Sequence, residues 1–251
     1  MSLLLTSGFE AASSGQGSFR VDAFQVPVAR GPFPHAEILY VPPNGMDAEE
    51  FFCGIRQTPD LAIRTDLALF PHAARMAQLF QGGCSLNVQA ETLFDERFHR
   101  ILENLAADGG FNASKVWIEK TEQGQIPEDA DLGCLARIKA MGFRLAIDDL
   151  DTTDATNMAR LTLIGEDADM FKFSYKTMKA IREDADGKAL QRIVDIAKVY
   201  PDKIIVMEGV RHSDYALYGD LIRAGVHMFQ IYDPQPKTPC SSQDQQLALR
   251  A

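Results

Sequence analysis

The sequence predicts an α/β fold, a closed (β/α)8 barrel whose first strand runs antiparallel to its neighbours. Three observations carry this expectation. Eight short apolar runs are spread over 251 residues, and amphipathic stretches separate most of them. Polar residues recur toward the C-terminal ends of these runs, at a spacing close to one βα unit. The first connection, from Val28 to Ala36, is too short for a crossover helix, which points to an antiparallel start.

The elements follow in order. Candidate strands are FRVDAFQVPV (19–28), AEILYV (36–41), CSLNV (84–88), KVWIE (115–119), FRLAID (143–148), MFKF (170–173), KIIVM (203–207) and HMFQIY (227–232). A helix is expected over 60–79, with Pro71 as a bend. Another is expected over 91–107, where Leu93, Phe94, Phe98, Ile101, Leu102 and Leu105 mark one buried face. Residues 127–141, 154–164, 189–199 and 215–224 behave similarly. Asp60 and Asp214 suit N-caps, and Gly142 and Gly225 suit helix stops. Residues 1–18 read as a flexible lead-in, 19–240 as the barrel and 241–251 as a polar tail.

Composition narrows the function. The chain carries 25 Lys and Arg against 35 Asp and Glu, a net charge of −10. That balance argues against duplex nucleic acid and anionic membrane as partners. An anionic ligand would need a cation to bridge it to an acidic site. The length supports a core without disulfide or metal staples. Cys53, Cys84, Cys134 and Cys240 lie far apart and read as free thiols. No basic residue precedes Arg20, so the N-terminus lacks a secretory n-region, and no apolar run approaches the ~20 residues of a membrane span. The expectation is a cytoplasmic protein.

Seven polar residues recur at strand ends: Asn87, Glu119, Asp148, Asp149, Lys172, Glu208 and Gln230. A barrel would gather them at one mouth. Taken singly they are unremarkable. A strand-end carboxylate as a rule caps a helix or pairs at the surface, and a lone lysine snorkels. Taken together they need another account, because burying several carboxylates is costly unless cations neutralise them. An all-oxygen donor set suits Mg²⁺, Mn²⁺ or Ca²⁺ better than zinc. The adjacent pair Asp148–Asp149 could contact two ions, the apparatus of in-line phosphodiester cleavage. Trp117 and the methionines at 141, 158, 170, 207 and 228 read as packing, and the five histidines show no paired spacing.

The same residues fall into seven ordered motifs: AEILY with Glu37-Ile38-Leu39, SLNVQ, IEKTE from Glu119 to Glu122, GFRLAIDDLDTT, DADMFKF, VMEGV and AGVHMFQIYDPQP. Over residues 24–236 the chain resembles the EAL-domain family of cyclic di-GMP phosphodiesterases and their degenerate relatives. The resemblance implies a modified TIM barrel with a reversed first strand and a site for two divalent cations, Mg²⁺ or Mn²⁺, with Ca²⁺ inhibitory. It implies Glu37, Asn87, Glu119, Asp148 and Asp149 as metal ligands. It implies Lys172 beside the attacked phosphate and its water, and Glu208 as general base or metal contact. Glu122 would steady the loop after the double Asp, and Gln25, Leu39 and Gln230 would line the nucleotide groove. The implied reaction is hydrolysis of cyclic di-GMP to linear pGpG, in a protein that forms a homodimer or meets a regulatory partner.

Four positions depart from the family pattern. Val41 replaces a phosphate-contacting Arg, and Leu150-Asp151-Thr152-Thr153 fills two glycine positions. Phe173-Ser174 follows Lys172, and Ile231 replaces a glycine after Gln230. Two readings therefore stand side by side. One is a phosphodiesterase of reduced or conditional turnover. The other is a catalytically inactive cyclic di-GMP receptor or protein-interaction module.

Overall fold

The computed structural model describes residues 18–23, 35–42, 46–121, 126, 130–184 and 186–232. Gln25, Glu122, Cys240, the lead-in before Ser18 and the tail over 241–251 lie outside the described residues.

Strand β1 (Ser18–Ala23) pairs antiparallel with β2 (Ala36–Val41). Strands β3 (Cys84–Val88), β4 (Val116–Lys120), β5 (Arg144–Leu150), β6 (Met170–Phe173), β7 (Ile204–Val210) and β8 (Met228–Ile231) then follow, each parallel to the one before. They form one eight-stranded curled sheet in sequential order. Helices cover its outside. Between β2 and β3 lie α1 (Ala48–Arg56) and α2 (Pro59–Ala77), and between β3 and β4 lie α3 (Ala90–Leu93) and α4 (Glu96–Ala107). Then come α5 (Gly133–Ala140), α6 (Ala155–Ile164), α7 (Tyr175–Glu183), α8 (Lys188–Val199) and α9 (Tyr215–Arg223). The fold is the TIM-like barrel with a reversed first strand. Among the described residues no backbone ladder joins β8 to β1; the side chain of Gln230 on β8 instead bonds Glu37 on β2 at 3.1 Å.

The differences from expectation have local causes. The run expected over 91–107 breaks because the Asp95 carboxylate accepts from Arg97 N at 2.7 Å and starts a new helix. Helix α2 starts at Pro59 after the N-cap Thr58, leaving Asp60 in its first turn, and it runs through Pro71 without ending. Asp214 does occupy the N-cap of α9, but its carboxylate turns to Arg211 and Arg182. Of the helix expected over 127–141, residues 127–129 lie outside the described residues, and α5 spans Gly133–Ala140. Helices α1 and α7 went unforeseen. Each is nine residues long, and α1 buries only Phe51 and Ile55. Gly142 and Gly225 do end their helices, at φ +94° and +103°. Of the three cysteines described, all free, Cys84 and Cys134 are buried and Cys53 is exposed.

Two kinds of core result. Between sheet and helices lie Phe98, Ile118, Phe171, Phe173 and their neighbours, with Phe70 edge-on to Phe98 at 4.9 Å. Inside the curl lies a small second cluster of Trp117, Ala146, Met170, Val206 and Met228. His35 packs edge-on to Trp117 at 5.2 Å and hydrogen-bonds Ser85 at 2.6 Å in the same region. Burial, and then the charge on Lys172, push the His35 pKa down to about 3, so its ring is neutral. This cluster is the floor on which the site stands.

Candidate functional site

Side chains along a strand alternate, so the residue two positions beyond each floor residue shares its face. Two beyond Trp117, Ala146, Met170, Val206 and Met228 stand Glu119, Asp148, Lys172, Glu208 and Gln230. Two beyond His35 and Ser85 stand Glu37 and Asn87. Strands β2 to β8 thus each carry one apolar or neutral residue below and one chemical residue above, as the layered interior of a barrel demands.

The upper layer is a closed electrostatic unit. Lys172 is almost wholly buried at its centre. Its ammonium lies 2.8 Å from Asp148 Oδ1, 2.9 Å from Glu119 Oε2, 2.9 Å from Glu208 Oε1 and 3.5 Å from Glu37 Oε2. Asn87 Nδ2 donates to Glu37 Oε1 at 2.6 Å, and Gln230 Nε2 donates to Glu37 Oε2. Four carboxylates against one ammonium leave three negative charges uncompensated if all are ionised. Burial pushes the Glu119 pKa well above the carboxylate range, helped by Glu37 and Asp148 and opposed by Lys172. Burial pushes Glu208 up to about 8 in the same way. Burial disfavours the Lys172 ammonium too, but the surrounding carboxylates prevail and hold its pKa well above the lysine value.

The unit's chemistry fits added cations. Among the described residues no donor reaches Asn87 Oδ1 or Gln230 Oε1, although both are buried. Two divalent ions would cancel the charge left by Glu37, Glu119, Asp148, Asp149 and Glu208 around Lys172. No three acidic, His or Cys side chains among the described residues converge on a preformed metal position. The carboxylates close on the lysine instead.

Asp149 sits beside this unit at φ +52°, the one non-glycine residue described with positive φ. Asp151 and Thr153, which stand where the family pattern has glycine, do not have positive φ. Those two form a local turn in which Asp151 Oδ1 accepts from Thr153 N and Oγ1 at 2.9 and 2.6 Å. Ser174, the other departure after Lys172, caps α7 by accepting from Thr177 N.

A cavity of about 640 Å³ opens from Asn87 and Asp148 across β2 toward α1 and α2. Leu39 and Val41 line it, with Val41 at 36% exposure where the family pattern has Arg. Arg20, Arg56 and Asp66 line it as well, and periodicity alone gave no sign of them. Asp66 is fully buried and accepts from Gln89 N at 2.9 Å and Thr92 Oγ1 at 2.7 Å. Burial pushes its pKa up to about 7.

A family profile described as EAL domain matches residues 41–230. The chain belongs to the EAL-domain family. The matched span begins four residues after Glu37, whose place on β2 within the cluster is seen from the structure. This EAL domain also resembles solved EAL structures. The enzyme Bd1971, bound to cAMP and cyclic di-GMP, superposes with a TM-score of 0.73 at 17% identity, over 92% of this chain and 64% of that one. BlrP1 of Klebsiella pneumoniae, in a calcium and cyclic di-GMP complex, gives 0.68 at 22% identity, over 87% of this chain and 55% of that one. The PaMucR phosphodiesterase in complex with cyclic di-GMP gives 0.68 at 21% identity, over 90% and 94%. This chain thus spans between half and two thirds of the first two. No curated protein sequence matches it. No helix among the described residues is long and apolar enough to cross a membrane.

Proposed function

We propose that this EAL domain binds cyclic di-GMP at the open end of the sheet and hydrolyses one of its phosphodiesters to give pGpG. The observation that carries this reading is the single interior layer of Glu37, Asn87, Glu119, Asp148, Lys172 and Glu208 on the edge of a nucleotide-sized cavity. Glu37, Asn87, Glu119, Asp148 and Asp149 would hold Mg²⁺ or Mn²⁺. Such ions, when bound, neutralise charge developing at phosphorus and acidify a water for attack.

The remaining work falls to the chain itself. Lys172 supplies a fixed positive charge toward a non-bridging phosphate oxygen. Glu208, whose carboxylate lies 2.9 Å from the Lys172 ammonium, is placed to accept the proton of the attacking water. Gln230 and Asn87 orient Glu37 through their amide donors. Leu39 and the apolar cavity wall shelter a base, while Arg20 and Arg56 provide the cations that Val41 does not. Gln25 and Glu122 retain their groove-lining and loop-steadying roles from the motif match.

The receptor reading keeps one observation of its own. Val41 is an exposed apolar residue on the cavity wall where an arginine would form a charge-assisted phosphate contact. Incubation with cyclic di-GMP and Mg²⁺ or Mn²⁺, followed by chromatography, decides between them. Accumulating pGpG that disappears with chelator, and with Glu37→Ala in a folded protein, supports the enzyme. Binding in Ca²⁺ with no product in any metal means a receptor. Turnover unchanged in Glu37→Ala sinks the site assignment.

A further inference from the structure

Two strands carry the same irregularity, and an arginine stands over each. Pairing shifts register between Ile147 and Leu150 in β5, and between Met207 and Val210 in β7. All four of these residues lie in the core between sheet and helices. Between them, Asp148 and Glu208 reach inward to Lys172. With a side-chain period of two, each strand therefore holds one extra residue. These are Asp149 and Gly209, at φ +52° and +64°. Glycine adopts that conformation freely, whereas Asp149 does so under strain. A strained residue persists where its surroundings over-determine it, and such places cluster at functional sites.

The surroundings are specific. Arg160 on α6 donates Nη2 to Asp149 O at 3.0 Å and to Asn157 Oδ1 at 2.9 Å. Asn157 Nδ2 donates to the same Asp149 carbonyl at 3.1 Å, and its Oδ1 accepts from Asp151 N at 2.9 Å. Arg182 on α7 donates Nη2 to Gly209 O at 2.5 Å. Its Nε and Nη2 also grip Asp214 at 3.0 and 2.6 Å, and Asp214 in turn accepts from Arg211 N. Both arginines are half-buried. Each spends a charge-assisted bond on the carbonyl of a bulge residue.

We propose that Arg160 and Arg182 are a matched pair of positioning residues. Arg160 with Asn157 fixes the bulge that aims the Asp148–Asp149 arm of the acidic cluster. Arg182 with Asp214 fixes the bulge that aims the Glu208 arm. Each arginine reaches its strand through a main-chain carbonyl, Asp149 O for Arg160 and Gly209 O for Arg182. The proposal rests on the metal-binding reading given above.

The test is Mn²⁺-dependent thermal stabilisation, read alongside kinetics, for wild type, Arg160→Met, Arg182→Met and the lysine replacement at each position. Asn157→Ala, which removes one of two donors to Asp149 O, is the milder variant should Arg160→Met fail to fold. Lys179→Met is the control, since this exposed lysine on α7 pairs with the exposed Glu183. Each methionine variant is expected to raise the Mn²⁺ midpoint about 10- to 100-fold, the usual effect of losing a group that orients metal ligands. A fall in kcat with little change in KM accompanies it, and the lysine variants recover part of both. Arginines with a purely structural role would lower the melting temperature without metal and leave the Mn²⁺ midpoint at the wild-type value. That result overturns the proposal alone. A wild type that shows no Mn²⁺ response overturns the metal reading and the positioning pair together.

Discussion

Replacing Lys172 by Met would remove the ammonium at the centre of the acidic layer while keeping a similar volume. Three carboxylates stand 2.8–2.9 Å from its ammonium. At an effective dielectric of ~20, each such contact is worth about 6 kcal/mol before desolvation is counted. Burying the ammonium offsets most of that sum, and loss of one partner from a buried ionic group costs about 3–5 kcal/mol net. For a chain of this size that is a fall in Tm of roughly 6–20 °C. The deficit has a definite pH dependence. Glu119 and Glu208 already have raised folded pKa values, and losing Lys172 raises them further. A carboxyl group raised in the folded state contributes nothing unfavourable where both states are protonated, near pH 4. It becomes progressively destabilising as pH rises toward the folded pKa, near 8 for Glu208 even with Lys172 present. Differential scanning fluorimetry at pH 5 and pH 8 would read this directly. Mn²⁺ should stabilise Lys172→Met more than wild type, because ion and ammonium compete for the same oxygens. A Kd of ~10 μM would return about 2.7 kcal/mol at 1 mM ion. A variant within 2 °C of wild type at both pH values, with no larger Mn²⁺ response, would refute the reasoning.

Other outcomes follow from the same geometry. Val41→Arg should tighten cyclic di-GMP binding in Ca²⁺ by about 10-fold or more, the worth of a charged hydrogen bond of about 1.5–3 kcal/mol; an unchanged Kd by calorimetry would mean that the side chain at 41 faces away from phosphate. Asp66→Asn should gain stability relative to wild type as pH rises from 4 to 7. Asp66 has a folded pKa near 7, so its unfolded form releases a proton first and wild-type stability drains across that window, by at most about 4 kcal/mol. Urea unfolding of both proteins at pH 4.5 and 7.5 reads the difference, and a pH-independent gap would contradict it. Gly209→Ala should cost about 2–4 kcal/mol, because a Cβ there would lie 2.7 Å from Tyr175 Cδ2 at φ +64°. A loss below 1 kcal/mol in the same unfolding assay would mean that the bulge can relax.

The strands with continuous apolar runs were legible because β-branched and aromatic residues bounded by polar punctuation leave few alternatives. The short helices α1 and α7 were not, since two or three buried positions make no period, and only docking on the sheet forms them. The site divides in the same way. Spacing put Asn87, Glu119, Asp148, Lys172, Glu208 and Gln230 at strand ends, the family resemblance added Glu37, and one parallel register was enough to gather them. The charges that face one another across the interior depend on curvature, so Lys172 as the hub of four carboxylates is a tertiary fact. So are the bulges at Asp149 and Gly209, because an extra residue in a strand shows only when its neighbours on both sides are seen to share a face. Arg160 and Arg182 come from helices elsewhere in the chain, and no local pattern marks a carbonyl they will hold. What the sequence determined by itself was therefore the kind of chemistry and the strands that bear it, through side-chain type and period. What the tertiary structure decided was the distances, because electrostatic coupling depends on separation and burial that no single segment possesses.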